Sequence, residues 1–522
     1  MIAWWVLFAV VIGTVVFIRL RLLGIPLERD EGEYAYAGQL MLQGIAPYQL
    51  AYNMKFPGTY AVYALIMALF GQTPAGIHLG LLLANLAAVT LVFFIARRLM
   101  NTVGAMVAAA TYAVASLSPS VLGVAAHAEH FVVLPALGGA FLLLERDAMR
   151  GTRIFASGLL FGIAVLMKQP AIFFLTFGGG YLFYRSIRES ANWRASTIRL
   201  ALFAGGALAP VALTFLVLWA AGVLPKAWFW TIHYARAYGT IVPFGEGLLI
   251  AADATRKIIH SLWPLCALAA LGVAGLVWNG RLRKHAVFVA LLLLGSGAAL
   301  CSGLYFREHY YICVLPVFSL LVGVTFATFL EAFWRWRRTS QSVSLVVAAA
   351  ALFYPLLNQS QLFFSLTPEE ACTRIYRGNI FRDAVRIGDY LRAHTQPNDT
   401  IAVIGSEPEI YFYAQRHSAT GYIYTYALME EQKDAHAMQE EMKREIEQAG
   451  PKFLVYISLQ TSWFIASWSD LSIIQWATDY SSRGHHAVGS VNVWPDGHTD
   501  YCLPCDRTID GSSSVLIFER TP

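Results

Sequence analysis

The chain has 522 residues, 57% of them hydrophobic and 14% charged, with a formal net charge of +5. Soluble domains carry about a quarter charged residues, so this composition excludes an ordinary soluble protein and implies an integral membrane protein. The small, dispersed excess of Lys and Arg also excludes a nucleic-acid partner, and what remains informative is where those charges sit relative to apolar runs.

Residues 3–18, "AWWVLFAVVIGTVVFI", have no basic segment before them and no small-residue cleavage site after them, so they read as an uncleaved first helix. Further apolar runs lie near 76–96, 103–123, 131–144, 154–168, 170–184, 200–221, 258–278, 286–304, 312–331 and 342–358, which makes eleven expected spans. Each is about long enough to cross a hydrocarbon core of ~30 Å with some tilt. A shorter run, 57–70, is bracketed by Pro57, Gly58, Gly71 and Pro74 and reads as re-entrant or interfacial. On that arrangement one side collects Arg97 and Arg98; Arg146, Arg150 and Arg153; Arg185, Arg188, Arg194 and Arg199; Arg281, Arg283 and Lys284; and Arg335, Arg337 and Arg338. The positive-inside rule then puts the N-terminus in the cytoplasm of a bacterial inner membrane and everything after residue 359 on the periplasmic or extracellular side. Arg19 and Arg21 run against this and are outnumbered.

The composition changes after Leu357, so residues 1–359 are read as a transmembrane domain and 360–522 as a soluble α/β domain. In the latter, "NIFRDAVRIGDYLRAHT" (379–395) predicts an amphipathic helix, "DTIAVIG" a strand, "ALMEEQKDAHAMQEEMKREIEQAG" a helix ending at Gly450, and "KFLVYIS" another strand. Glu407 and Glu409 stand at a helix start in "IGSEPEIYFYAQ", either as a ligand site or as acids favoured by the helix dipole. Cys266, Cys301 and Cys313 lie within expected spans. On the outer side, "CLPC" (502–505) closes a local disulfide or one of its cysteines pairs with Cys372; zinc with His485, His486 or His498 has weaker support in spacing.

Charges near a bilayer are costly, at least ~2.5 to 3.5 kcal/mol at the centre on insertion scales, and ask for a reason. They gather at the expected outer ends of the spans: Asp30, Glu31 and Glu33 in "LERDEGEYAYAG"; Lys55 in "NMKFPGTY"; His127, Glu129 and His130 in "AAHAEHF"; Lys168 in "LMKQP"; and Arg307, Glu308 and His309 in "YFREHYY". Each has a plain alternative. Asp30 and Glu33 have capping-box spacing for the helix that follows; Lys55 and Lys168 fit lysines that snorkel to headgroups; His309, beside Tyr310 and Tyr311, fits an aromatic belt. Their convergence on one face favours a shared polar site at the level of a lipid phosphate, where such cations are wanted.

At these residues the chain resembles the GT-C glycosyltransferases that use polyprenyl-phosphate sugars, in particular bacterial relatives of protein O-mannosyltransferases and of the lipid A aminoarabinose transferase. "RDEGEYAYAGQLMLQG" is similar to the Asp-Glu motif of the family's first outer loop, "NMKFPGTY" to its Lys-Pro-Pro-Gly segment, and "FREHYYICVLPVFSLL" to the "HYxxxxxP" entry to a late span. Phe56 stands where the family often has the first proline. The resemblance implies a GT-C fold and inverting transfer to an acceptor hydroxyl of a glycan, lipid or protein, with Asp30 as general base. It matches Lys55, Lys168 and Arg307 to the departing phosphate, with His309 as a hydrogen-bond donor to it. Glu31 and Glu129 would orient the acceptor, the base or a divalent cation, with Glu33 grouped among the orienting acids. A metal is not required by all relatives; Asp30 and Glu129 are its candidate ligands. No phosphate-cradling GxxxxGK[ST] loop is present, which fits a lipid-linked donor. Two rivals are a flippase of lipid-linked saccharides, against which stand the absence of an internal repeat and charges away from the midplane, and a glycan receptor, which needs only one span.

Overall fold

The computed structural model describes residues 1–145, 149–190, 192–333, 336–494, 497–505 and 513–521. Arg146 and Arg335, expected among the cytoplasmic arginines, lie outside them, as does the side chain of Arg337. Every expected apolar run overlaps a helix. In chain order the first nine helices are α1 (Ile2–Arg21), α2 (Arg29–Leu42), α3 (Gly58–Phe70), α4 (Pro74–Leu99), α5 (Thr102–Ala115), α6 (Ala128–Leu144), α7 (Gly151–Met167), α8 (Ile172–Ser190) and α9 (Trp193–Ala220). Helices Phe244–Trp278, Ala286–Leu300, Leu315–Ala332 and Arg337–Asn358 are among those that follow.

Six described helical segments are long and apolar enough to cross a membrane: α1, α4, α9, Phe244–Trp278, Glu308–Ala332 and Arg338–Asn358. The helices α3, α5, α6, α7 and Ala286–Leu300 are apolar but shorter. The expected run 103–123 is not one helix: α5 stops at Ala115, and a 3₁₀ turn over Pro119–Val121 follows. Pro119 opens that turn, where its missing N–H costs nothing, and Leu122 leaves it in the left-handed region with φ 51°. All of α5 except Thr102 is buried, as an all-apolar short helix must be. Its small residues permit close packing; a Cβ on Gly104 would lie 2.8 Å from the Gly323 carbonyl oxygen. The expected span at 258–278 is the second half of a longer helix, kinked at Leu262 two residues before Pro264.

The C-terminal part holds a six-stranded mixed sheet of β1 (Thr400–Ile404), β2 (His417–Ser418), β3 (Phe453–Ile457), β4 (His485–Val493), β5 (Thr499–Cys502) and β6 (Val515–Arg520), in the order β2-β1-β3-β6-β4-β5. β1 runs parallel to β2 and β3, and the remaining pairs are antiparallel. The helix expected over 379–395 spans Phe381–Ala393. The one expected over 427–450 is two helices, Tyr426–Met429 and Ala435–Ala449, the second ending at Gly450 with φ 54°. Gln432 makes the break: its amide donates to the Ala427 carbonyl and its oxygen accepts from the Asp434 N–H, so a side chain takes the place of helical bonds. Cys502 and Cys505 form a disulfide, and Cys372 is buried and free.

This domain sits directly on α2. Gly32 makes that possible, because a Cβ there would meet the Glu409 backbone at 2.6 Å. The Leu27 N–H donates to the Tyr413 hydroxyl, and the Tyr52 N–H to the Gly421 carbonyl.

Candidate active site

The charged start of α2 is held by an unexpected pair. Glu28, not Asp30, is the N-cap: its carboxylate accepts from the Glu31 N–H at 3.0 Å, while Glu31 accepts from the Glu28 N–H at 3.3 Å. The capping box is therefore complete without Asp30 or Glu33, which corrects the spacing argument for both. Asp30 lies in the first turn with its carboxylate free to face a cavity of about 550 Å³. That cavity is lined from the first turn of α2, from the segments around Lys55, His127, Lys168, Trp230 and Arg307, and from the C-terminal domain around Phe381 and Tyr424.

Of the eight residues singled out from the sequence, Asp30, Lys55, Glu129, Lys168, Arg307 and His309 line this one cavity; Glu31 and Glu33 do not. Glu31 is buried, 2.9 Å from His78 Nε2, and accepts from the Ala126 N–H at 2.6 Å, so it ties α2 to α4 and to the approach to α6. Glu33 is buried too, accepting from Lys55 Nζ at 2.8 Å and from the Tyr60 hydroxyl at 2.6 Å. Both are structural anchors one layer behind the cavity.

Around Asp30, Lys55 Nζ donates to Oδ1 at 3.1 Å and the Tyr424 hydroxyl donates to the same oxygen at 2.8 Å. Oδ2 lies 3.9 Å from His127 Nδ1 and 3.8 Å from His309 Nε2. The two imidazoles stack at 4.1 Å, nearly parallel. Burial alone would raise the Asp30 carboxyl, but Lys55, then His309 and His127, outweigh it and hold the group well below the usual carboxylate range. Glu28 behaves oppositely: burial, with the charges of Asp30 and Glu31, lifts it well above its usual value. Across the cavity Lys168 pairs with Glu129, and its Nζ sits 3.9 Å over the Tyr310 ring.

Sequence reasoning missed several cavity residues. His127 stands in the sequence among the groups gathered at the span ends, but nothing there gives it a role. Tyr424, Tyr426 and Glu430 come from the C-terminal domain, and no motif in that stretch announces them. Arg29 pairs with Glu407 at 2.8 Å, which decides the role of that acid, whereas both oxygens of buried Glu409 have no hydrogen-bond partner among the described residues.

Three side chains here could also hold a metal ion, a different set from Asp30 and Glu129. Asp30, His127 and His309 can each offer a ligand atom, and these atoms lie within 4.8 Å of one another. Both ring nitrogens of His127 and Nδ1 of His309 are buried without hydrogen-bond partners among the described residues. Burial also holds the His127 imidazole below its usual range, in the neutral form that ligates metals. Two imidazoles and one carboxylate suit a borderline dication such as Zn²⁺ better than Mg²⁺. Glu129, committed to Lys168, is not in the set.

Residues 55–230 match the family described as dolichyl-phosphate-mannose-protein mannosyltransferase. No curated protein sequence matches the chain significantly. Among solved structures, ArnT from Cupriavidus metallidurans bound to undecaprenyl phosphate is 14% identical, with a TM-score of 0.61 over 98% of this chain and 98% of that one. The same protein in the apo state is 16% identical, with a TM-score of 0.58 over 99% and 97%. The archaeal oligosaccharyltransferase AglB from Archaeoglobus fulgidus, in complex with an inhibitory peptide and a dolichol-phosphate, is 11% identical, with a TM-score of 0.52 over 98% of this chain and 75% of that one. The chain thus has the fold of these membrane glycosyltransferases along nearly its whole length, and residues 55–230 match the mannosyltransferase family model.

Proposed function

We propose that the chain transfers a hexose or pentose from a polyprenyl-phosphate donor to an acceptor hydroxyl at the outer face of a bacterial inner membrane, with inversion at the anomeric carbon. The observation that carries this reading is the single cavity in which ionised Asp30 faces Lys55, Lys168 and Arg307. Residues 1–359 form the membrane part, crossing about eleven times from a cytoplasmic N-terminus, and residues 360–522 form the outer domain. The undecaprenyl phosphate in the ArnT structure supports a lipid donor.

In the step itself, the acceptor oxygen attacks the anomeric carbon from the face opposite the phosphate. A carbon–oxygen bond forms, the bond to the phosphate oxygen breaks with its electron pair, and Asp30 takes the acceptor proton. The phosphate gains negative charge as it leaves, and Lys55, Lys168 and Arg307 offer it cations in a partly dry site. Lys55 links the two halves. While it pairs with Asp30 the carboxylate is a weak base; a bound phosphate that draws Lys55 away restores basicity where the proton must be taken. A dication held by Asp30, His127 and His309 would supply further positive charge to the phosphate.

The test is transfer of radiolabelled sugar from a panel of polyprenyl-phosphate donors in proteoliposomes, wild type against Asp30→Asn, with donor binding followed in parallel. Lost transfer with retained binding is expected. Transfer that survives the substitution would remove Asp30 from the step, and movement of donor across the bilayer without transfer would favour the flippase.

A further inference from the structure

The proposed phosphate-binding cations account for part of the cavity lining, and another part has a different chemistry. Glu430, from the C-terminal domain, and Trp230, Tyr234 and Tyr238, from the segment after α9, all line it, together with Tyr426. The rings form a run: Trp230 and Tyr234 have centroids 5.1 Å apart, and Tyr234 and Tyr238 6.3 Å apart. The Tyr234 hydroxyl donates to Glu430 Oε2 at 2.5 Å, which fixes the carboxylate from one side. Arg307 lines the same cavity and interacts electrostatically with both Tyr238 and Glu430.

A carboxylate repels phosphate, and neither this acid nor these rings serve the departing group. They do suit a sugar, which offers apolar C–H faces to aromatic rings and hydroxyls to a fixed acceptor. The anomeric carbon of the donor is one oxygen away from its phosphorus, so the sugar must sit directly beside the phosphate cations. Glu430 meets that requirement through Arg307. Burial lifts the Glu430 carboxyl to about 7, so near neutral pH it is present in a form that accepts and a form that also donates hydrogen bonds.

Building on the polyprenyl-phosphate reading above, we infer that Glu430 and the aromatic wall of Trp230, Tyr234, Tyr238 and Tyr426 form the subsite for the donor's sugar, with Glu430 hydrogen-bonding its hydroxyls. The C-terminal domain thereby takes part in choosing the sugar that is transferred.

The experiment reads binding, so that it stays separate from the fate of Asp30. Affinities of the full chain in nanodiscs are measured for bare undecaprenyl phosphate and for undecaprenyl phosphate carrying a series of hexoses and pentoses. The wild type is expected to bind at least one glycosylated lipid more tightly than the bare lipid. Glu430→Gln and Glu430→Ala should lose that advantage by about tenfold, the value of a hydrogen bond to a charged group, while bare-lipid affinity holds and reports an intact fold. Lys55→Ala should weaken both kinds of lipid together. An undiminished sugar advantage in both Glu430 variants overturns the inference, as does an equal loss for the bare lipid, or a wild type that favours no glycosylated lipid. A wild type that shows the sugar advantage yet transfers nothing would instead overturn the enzyme reading and leave this subsite standing.

Discussion

The Tyr424 hydroxyl donates to the Asp30 carboxylate at 2.8 Å, a bond between residues 394 positions apart that joins the C-terminal domain to the first turn of α2. The C-terminal domain is therefore a structural part of the site. Tyr424→Phe removes this one bond and leaves the ring; a hydrogen bond to a charged group is worth about 1.5 to 3 kcal/mol. Like the Lys55 pair, it favours the ionised carboxylate, so its loss should move the acid limb of the kcat–pH profile to higher pH with donor affinity retained, and an unmoved limb would mean that Asp30 does not depend on Tyr424.

Lys55 carries two acids at once, Asp30 at 3.1 Å and Glu33 at 2.8 Å, with its own side chain and that of Glu33 almost fully buried. Lys55→Met strands both carboxylates, and breaking such a buried pair costs about 3 to 5 kcal/mol. Thermal unfolding in detergent should fall accordingly, and adding Glu33→Gln should recover part of it. A double variant no more stable than Lys55→Met would show that the two charges are not coupled.

The pH dependence of stability has opposite signs at two acids. Asp30 is held low, so its contribution is present above its unfolded value of about 3.9 and is lost as pH falls through the folded value. Glu409 is raised well above its usual range, by burial first and by Glu407 second, so it favours the folded state when protonated and detracts as pH rises past about 4.3. Glu409→Gln should flatten the decline of melting temperature toward neutral and alkaline pH. Parallel melting curves of wild type and variant would contradict this.

The Asp30–His127–His309 set predicts dication binding that can be followed without turnover. Co²⁺ added to the metal-free protein should give visible absorption bands of a low-coordinate nitrogen–oxygen site, lost in His127→Ala and kept in Glu129→Gln. Bands that vanish with Glu129 and survive without His127 would reassign the ligands.

Much of this architecture could be read from residue order. The apolar runs became helices because burying them leaves the backbone no other way to satisfy its hydrogen bonds in lipid. The convergence of Asp30, Lys55, Glu129, Lys168, Arg307 and His309 followed from charges placed at the expected outer ends of successive spans. What escaped has physical causes. Glu is not a favoured N-cap, so the spacing argument points to Asp30 and Glu33 while the box forms two residues earlier at Glu28 and Glu31. Glu31 and Glu33 alternate with cavity residues on a helix, and only packing against His78 and Tyr60 decides which way each points. Tyr424 and Glu430 reach the cavity through a long-range fold of the C-terminal domain, for which no local periodicity gives a signal.

The reciprocal bonds between Glu28 and Glu31 have one more consequence. Because two other acids hold the end of α2, the residue that would do the chemistry is spared from holding the backbone. Asp30 can lose a cation, accept a proton or be replaced by asparagine without unfastening the helix. Division of labour between neighbouring carboxylates thus makes Asp30 exchangeable in a way that a load-carrying cap would not be, and a kinetic defect after its substitution can be assigned to chemistry rather than to a frayed first turn.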